Sequence, residues 1–227
     1  MNNQTILFDF DGTLFDTLEG ITKCVQYALG KHGIFAELEE LRCFAGPPLV
    51  EKFMEVYGVD RDLAQTPLLD YRERYVPIGI YESQPFPGVD ELLKHLQAAG
   101  RKLGVATSKP QDMAEHLLRR AELLQYFDAV VGSTPGKNDD PKWVVVRRCM
   151  EQCGAKPAST VLVGDTKYDA VGAARCHIPC IGVTWGYAAP GELEAAGVSR
   201  IVQSCAELEA LLLNERMSFQ AVTAKTI

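Results

Sequence analysis

Two aspartates separated by one residue, Asp9 and Asp11, close the apolar run Ile6-Leu7-Phe8. On an extended strand, residues two apart point to the same face, so both carboxylates leave the strand end on one side. Like charges held that close repel, and a bound cation is the natural remedy. Gly12 follows, where backbone without a Cβ can turn tightly and offer its amide to an anion. A polar strand exit or a helix cap accounts for Asp11 alone but leaves the pair unexplained. The pair therefore points to carboxylate-centred chemistry with a metal.

A second apolar run, Val161-Leu162-Val163, ends in Gly164-Asp165, and Asp169 comes one helical turn later. Asp165 is expected at the same sheet edge as Asp9. Asp169 is expected in the first turn of the next helix, where complementing the helix dipole is an alternative role for it. Oxygens from Asp9, Asp11 and Asp165, with water and substrate, make a hard donor set that suits octahedral Mg²⁺. A third strand end, Val105-Ala106-Thr107-Ser108, offers a hydroxyl and backbone amides to a phosphoryl oxygen, although Ser and Thr in such places commonly cap helices. A cation must still offset the aspartates and any phosphoryl charge. The candidates are Lys109, Lys137 and Lys142. Lys142 opens a predicted helix directly after Pro141, where a positive charge opposes the helix dipole. That local misfit points to a carboxylate partner elsewhere. Lys137 reads more simply as a solvated loop charge, and Lys109 fits either role.

These residues need a scaffold that delivers several strand ends to one edge. Short β-branched runs at Thr5–Phe10, Lys102–Thr107, Ala129–Gly132, Thr160–Gly164, Cys180–Thr184 and Arg200–Gln203 alternate with helical patterns at Gly88–Ala99, Gln111–Leu123, Lys142–Cys153, Asp169–Cys176, Gly191–Ala196 and Ala206–Asn214. Such alternation of apolar strands and helices predicts an α/β fold with a Rossmann-like parallel sheet covered on both faces. Ligands of such sheets bind at the carboxyl ends of the strands, where Asp9 and Asp11 stand. Residues 16–83 break the rhythm. They show only helical periodicity, at Leu18–Lys31, Glu37–Phe44, Leu49–Val56 and Asp62–Tyr75, and predict a small α-helical domain inserted after the first strand. The organisation expected is a core of residues 1–15 and 84–216, the insertion at 16–83, and a tail at 217–227.

The 227 residues suffice for such a core with one small companion. A net charge of −7 argues against nucleic acid or an anionic membrane as partner. No apolar run approaches the ~20 residues that span a bilayer, and the N-terminus lacks a signal-peptide pattern. Seven cysteines, an odd number, fit a reducing compartment better than a disulfide framework, so a cytoplasmic location is expected. Arg42, Arg72 and Arg74 are candidates for a second substrate anion, or else ordinary surface ion pairs.

Taken in order, Asp9-Phe10-Asp11-Gly12-Thr13, the strand-end Thr107, the isolated Lys142 and Gly164-Asp165 with Asp169 resemble the haloacid dehalogenase-like (HAD) hydrolase superfamily. The helical insertion resembles that of its C1-capped members. Ala45-Gly46-Pro47-Pro48-Leu49, the stretch from Tyr81 to Gly88, and Thr184-Trp185-Gly186-Tyr187 resemble the phosphoglycolate-phosphatase-like branch. The resemblance implies a Mg²⁺-dependent phosphatase acting on a small phosphorylated metabolite. Asp9 is then the nucleophile and Asp11 the proton shuttle, which also binds Mg²⁺ through its backbone carbonyl. Thr107 and the Ser108 amide, with Gly12, hold phosphoryl oxygens. Lys142 stabilises charge around Asp9 and is supported by Asp169, and Asp165 ligates the metal. Dehalogenation needs no second aspartate, so Asp11 favours phosphate chemistry. A nucleotide, pyrophosphate or phosphoprotein substrate stays open, as does the choice between monomer and homodimer. A non-catalytic binding protein on the same fold is the reading from a different class.

Overall fold

The structure, a computed structural model, describes residues 5–133 and 140–213. Lys137, the 217–227 tail and the last residues of the expected 84–216 segment lie outside them. Contacts divide the chain into two compact units, one holding residues up to Leu14 and from Pro85 onward, the other Phe15–Gln84.

The first unit is built on a six-stranded sheet whose neighbouring strands all run parallel. Its strands are β1 (Thr5–Phe8), β4 (Lys102–Pro110), β5 (Ala129–Ser133), β6 (Thr160–Gly164), β7 (Cys180–Val183) and β8 (Arg200–Val202), in the spatial order β5-β4-β1-β6-β7-β8. The intervening β2 (Phe15–Asp16) and β3 (Gln84–Pro85) form a separate two-stranded pair. These two-residue strands are too short to leave a periodic signal in the sequence.

β1 lies at the centre. Thr5 to Phe8 pair with Lys102 to Val105 on one side and Thr160 to Val163 on the other. All four residues are buried, as a strand flanked and covered on both faces requires. Around the sheet run α4 (Val89–Ala98), α5 (Gln111–Arg120), α6 (Lys142–Gln152), α7 (Lys167–Arg175), the short α8 (Glu192–Ala195) and α9 (Cys205–Leu213). Leu7, Ala106 and Leu162 project from adjacent strands into a core with Val145, Val146 and Cys149 of α6 and Ala170 and Ala173 of α7. Because successive side chains alternate in direction, Ile6, Phe8, Val105 and Val163 serve the opposite face. All four are fully buried.

The chain runs from β1 outward to β4 and β5, then returns across β1 to β6 and continues to β7 and β8. The direction of winding therefore reverses between β1 and β6, which opens a crevice beyond the carboxyl ends of these two strands.

The second unit is helical: α1 (Leu18–Lys31), a 3₁₀ turn at Glu40–Phe44, α2 (Leu49–Tyr57), α3 (Arg61–Tyr75) and a 3₁₀ turn at Gly79–Tyr81. The helix expected over Glu37–Phe44 is thus only one tight 3₁₀ segment. α1 and α3 pack together, and Phe44, Phe53 and Tyr57 form an aromatic cluster with ring centroids 5.0–6.4 Å apart. Asp60 caps α3 by accepting from the Leu63 amide at 2.9 Å. Inside this unit Glu82 accepts from both terminal nitrogens of Arg74 (2.8 and 3.0 Å) and from Lys23 (3.2 Å).

Candidate active site

Asp9 is the first residue past β1, and its amide still bonds across to Val163 of β6 at 2.9 Å. Asp165 is the first residue past β6. The reversal of winding therefore brings together two aspartates 156 positions apart. Lys142, at the first position of α6, reaches both Asp9 Oδ1 (2.6 Å) and Asp169 Oδ1 (2.7 Å) with its ammonium. Its side chain is only 7% exposed. This explains why a lysine stands at an electrostatically unfavourable helix start: its charge is used across the crevice, not at its own helix end.

Asp169 serves two purposes. Its Oδ2 accepts from the Thr166 amide (3.1 Å) and hydroxyl (3.0 Å), which closes the N-terminus of α7, while Oδ1 faces Lys142. The helix-terminal role and the ion-pair role weighed for this residue are both realised.

Asp165 is fully buried. Its Oδ1 accepts from the Thr13 hydroxyl at 3.0 Å and its Oδ2 from the Tyr187 amide at 2.8 Å. Thr13 is in turn tied by its carbonyl to Trp185 Nε1 at 3.1 Å. Glycines leave the room these side chains occupy. A Cβ on Gly12 or Gly186 would overlap the Asp165 carboxylate, one on Gly164 would overlap Asp169, and one on Gly172 would press on Lys142. Gly12 also holds φ +84°, a left-handed conformation that disfavours any side chain.

The carboxylate oxygens of Asp9, Asp165 and Asp169 lie within 4.8 Å of one another. Among the described residues, Lys142 is the only cation paired with the cluster, and it bonds Asp9 and Asp169, so one ammonium stands against three carboxylates. The imbalance shows in their protonation. Burial pushes Asp9 up to about 7, opposed by Lys142 and reinforced by Asp169 and Asp11. Burial likewise drives Asp165 well above the usual carboxylate range, helped by the charges of Asp169 and Asp9 and resisted by the Tyr187 and Thr13 donors. Burial alone would lower Lys142, but Asp169 and Asp9 outweigh it and hold the ammonium above its ordinary value. A largely buried cluster with excess negative charge and all-oxygen donors fits a hard divalent cation.

Asp11 points elsewhere. Its carboxylate pairs with Lys109 Nζ at 2.8 and 3.2 Å, and the cluster's third carboxylate is that of Asp169. Of the two candidate lysines among the described residues, Lys142 pairs with Asp9 and Lys109 with Asp11. Thr107 is buried beside them, and its Oγ1 accepts from the Lys109 amide at 3.1 Å, so the hydroxyl proton stays available to donate. Ser108, next in β4, is half-buried.

Three supports escaped the sequence reading: Thr13, Gly186 and the Tyr187 amide, all acting on Asp165. Thr13 is part of the motif quoted above, but nothing local marks its partner. Tyr187 fastens that aspartate through its amide, and Trp185 does so indirectly by holding Thr13. Of the three arginines, Arg74 is committed to Glu82 and also donates to Cys24 Sγ at 3.1 Å; Arg42 has an exposed contact with Glu39. All seven cysteines are free thiols. Among the described residues, no helix is long and apolar enough to cross a membrane.

Comparison with known proteins agrees with this geometry. The haloacid dehalogenase-like hydrolase family profile matches residues 6–183. The chain is 39% identical to a 5'-nucleotidase of Pseudomonas aeruginosa over 91% of its own length and 92% of that protein. It is 30% identical to a phosphoglycolate phosphatase of Caulobacter vibrioides, over 90% and 88% of the two chains. Its fold superposes on the crystal structure of a predicted phosphatase from Clostridium acetobutylicum with a TM-score of 0.90 at 39% identity, covering 94% and 99%. Fold and relatives together make this chain a phosphatase. It belongs to the haloacid dehalogenase-like hydrolase family.

Proposed function

We infer that the protein hydrolyses a small phosphate monoester in two displacements, with Asp9 as nucleophile and Mg²⁺ as cofactor. The observation that carries this reading is the centre itself: Lys142 bridges Asp9 and Asp169 at 2.6 and 2.7 Å in a cluster that still holds more carboxylates than cations.

Asp9 attacks phosphorus. The P–O bond to the leaving alcohol breaks as the Asp9–phosphorus bond forms, giving an aspartyl-phosphate. Asp11, two residues on, gives its proton to the departing oxygen. In the second displacement Asp11 takes a proton from water, whose oxygen displaces Asp9 and releases phosphate. Lys142 opposes the burial that favours the protonated form of Asp9 and offsets charge on the phosphoryl oxygens. Thr107 Oγ1 and the Ser108 and Gly12 amides are the donors for those oxygens. Asp9 and Asp165, with the Asp11 carbonyl, would hold the magnesium, which supplies electrostatic stabilisation of the transferring phosphoryl group. Asp169 orients Lys142. The inserted helical unit is the substrate-selecting cap in this reading.

A nucleoside monophosphate is the second substrate reading, favoured by the likeness to the Pseudomonas 5'-nucleotidase over nearly its full length. Pyrophosphate and phosphoproteins follow as further alternatives. The seven free cysteines support a reducing, cytoplasmic setting, and the net charge of −7 supports a metabolite over nucleic acid or membrane as partner. Hydrolysis of p-nitrophenyl phosphate with and without Mg²⁺ tests the mechanism. Asp9→Asn is expected to lose about 10⁴-fold or more in kcat and to form no acid-stable phosphoenzyme; unchanged turnover in this variant removes Asp9 as nucleophile. A panel of 2-phosphoglycolate, nucleoside monophosphates and pyrophosphate then ranks the substrate readings by kcat/KM.

A further inference from the structure

Lys109 has no part in the chemistry described so far, yet it is among the most deeply placed cations of the sheet unit. Its side chain is 5% exposed, its ammonium lies 5.5 Å from the centre of the Phe10 ring, and it donates to both oxygens of Asp11. The strand that carries it is irregular at this point. The β4–β5 register jumps between Ala106 and Pro110: Ala106 faces Val131 and Pro110 faces Ser133, so four steps along β4 match two along β5. Such bulges re-aim side chains near functional sites. Here the Thr107 hydroxyl accepts from the Lys109 amide and closes the extra loop of chain. A Cβ on Gly132 of β5 would collide with the Lys109 carbonyl and the Gln111 backbone, so the neighbouring strand is shaped to accept the bulge.

We propose that Lys109 is the positioning residue for the proton shuttle: gripping both oxygens of Asp11, it holds that carboxylate apart from the Asp9–Lys142–Asp169 network and aimed at the leaving oxygen. This rests on the reading of Asp11 as the shuttle. A short acidic side chain at the exit of a strand has several open rotamers, and a two-point contact with a buried ammonium selects one. The same contact denies Asp11 to Lys142, which lets one lysine serve the nucleophile while another serves the acid.

The test compares two esters of similar shape that differ in their need for a proton. Phenyl phosphate has a poor leaving group, whereas p-nitrophenyl phosphate leaves without protonation. Asp11→Asn lowers kcat/KM for phenyl phosphate far more than for the nitro ester. Lys109→Met shows the same selective loss, about tenfold on phenyl phosphate, and Lys109→Arg restores most of it. The double variant Asp11→Asn/Lys109→Met is no slower than Asp11→Asn, because Lys109 acts through Asp11. Equal losses on both esters, or losses that multiply in the double variant, overturn the proposal and make Lys109 a substrate-binding or structural group. If Asp11→Asn itself discriminates between the esters but Lys109→Met does not, only the positioning role falls. No discrimination by Asp11→Asn removes the shuttle reading and the proposal with it. Thermal melting of each variant, with Lys109→Gln as a second neutral replacement, separates these outcomes from misfolding.

Discussion

The two units each contain a buried or half-buried ionic network, and the two differ in their balance of charge. In the sheet unit, Asp9, Asp165 and Asp169 crowd within 4.8 Å around the single ammonium of Lys142. In the helical unit, Glu82 receives Arg74 and Lys23, and Lys23 also pairs with Glu19, so two carboxylates meet two cations and every partner keeps some access to water. The second network is complete as it stands and can be understood as packing. The first is not: burial of unpaired like charge is too costly to keep for structure alone. Such a deficit is what a cation and a phosphoryl group together would correct. Charge imbalance, more than the presence of charged residues, separates a reacting centre from a structural one.

The comparison is broken most directly at Lys142. Lys142→Met should lower kcat about 10³-fold and cost about 3 to 5 kcal/mol of stability, since Asp9 and Asp169 would be left without a counter-ion. Turnover near that of the parent protein would show that the ammonium is merely structural. A subtler change acts on Asp165 without touching any charge. Gly186→Ala places a methyl group where the Asp165 carboxylate lies, so the aspartate must move. A loss of about 10²-fold in kcat is expected for such a displacement, with weakened Mg²⁺ binding in a direct titration. Full activity in this variant would mean that the Tyr187 loop need not approach Asp165 so closely.

The sheet edge was legible in the sequence because each strand is an apolar run that stops abruptly at an acid or hydroxyl residue: Phe8 before Asp9, Val163-Gly164 before Asp165, Ala106 before Thr107. All six expected strands of the main sheet formed. Lys142 was legible because its helix position is wrong for its charge. The fastening of Asp165 was not, since Thr13 lies 152 positions from it and the Tyr187 contact uses a backbone amide that every residue but proline owns. Lys109 stands out in the sequence as a candidate counter-ion for the aspartates, but its pairing with Asp11 in particular does not, since it spans 98 positions and depends on a bulge that a period-two pattern does not reveal. In the helical unit, Glu37–Phe44 looked helical because a 3₁₀ turn shows nearly the same short spacing of apolar residues. Arg74 is open in the sequence to either an anion-binding or an ion-pair role, because arginine on a helix carries no mark of its partner, and the pair with Glu82 realises the second.

Protons sharpen the comparison further. Asp9 sits at about 7 when only Lys142 offsets its burial, so near neutrality the metal-free cluster begins to bind protons as pH falls. A cation entering the cluster must displace them. Mg²⁺ affinity should therefore rise with pH through 7, by up to about tenfold per pH unit for each proton released. Calorimetric titrations at pH 6, 7 and 8, in buffers of different ionisation enthalpy, measure both affinity and protons released. An affinity that does not change over this range would mean that the cluster carries no excess charge to be neutralised.

The balanced network predicts the smallest effect and the opposite pH behaviour. The Arg74 guanidinium, and after it Lys23, hold Glu82 below the ordinary glutamate range against a modest cost of burial. A carboxylate whose folded value is depressed adds stability that is present above its unfolded value and is lost as pH falls through the folded one. Glu82→Gln should therefore cost about 1 kcal/mol near pH 7, the scale of a partly exposed ion pair, and progressively less in acid, where the parent protein has lost the same contribution. Because no excess charge is involved, kcat and Mg²⁺ affinity should stay at parental values. Melting curves at pH 7 and pH 4, set beside one activity measurement, check both halves. If Glu82→Gln weakened Mg²⁺ binding as Gly186→Ala is expected to, the helical unit would share in the charge balance of the centre, and the contrast between the two networks would fail.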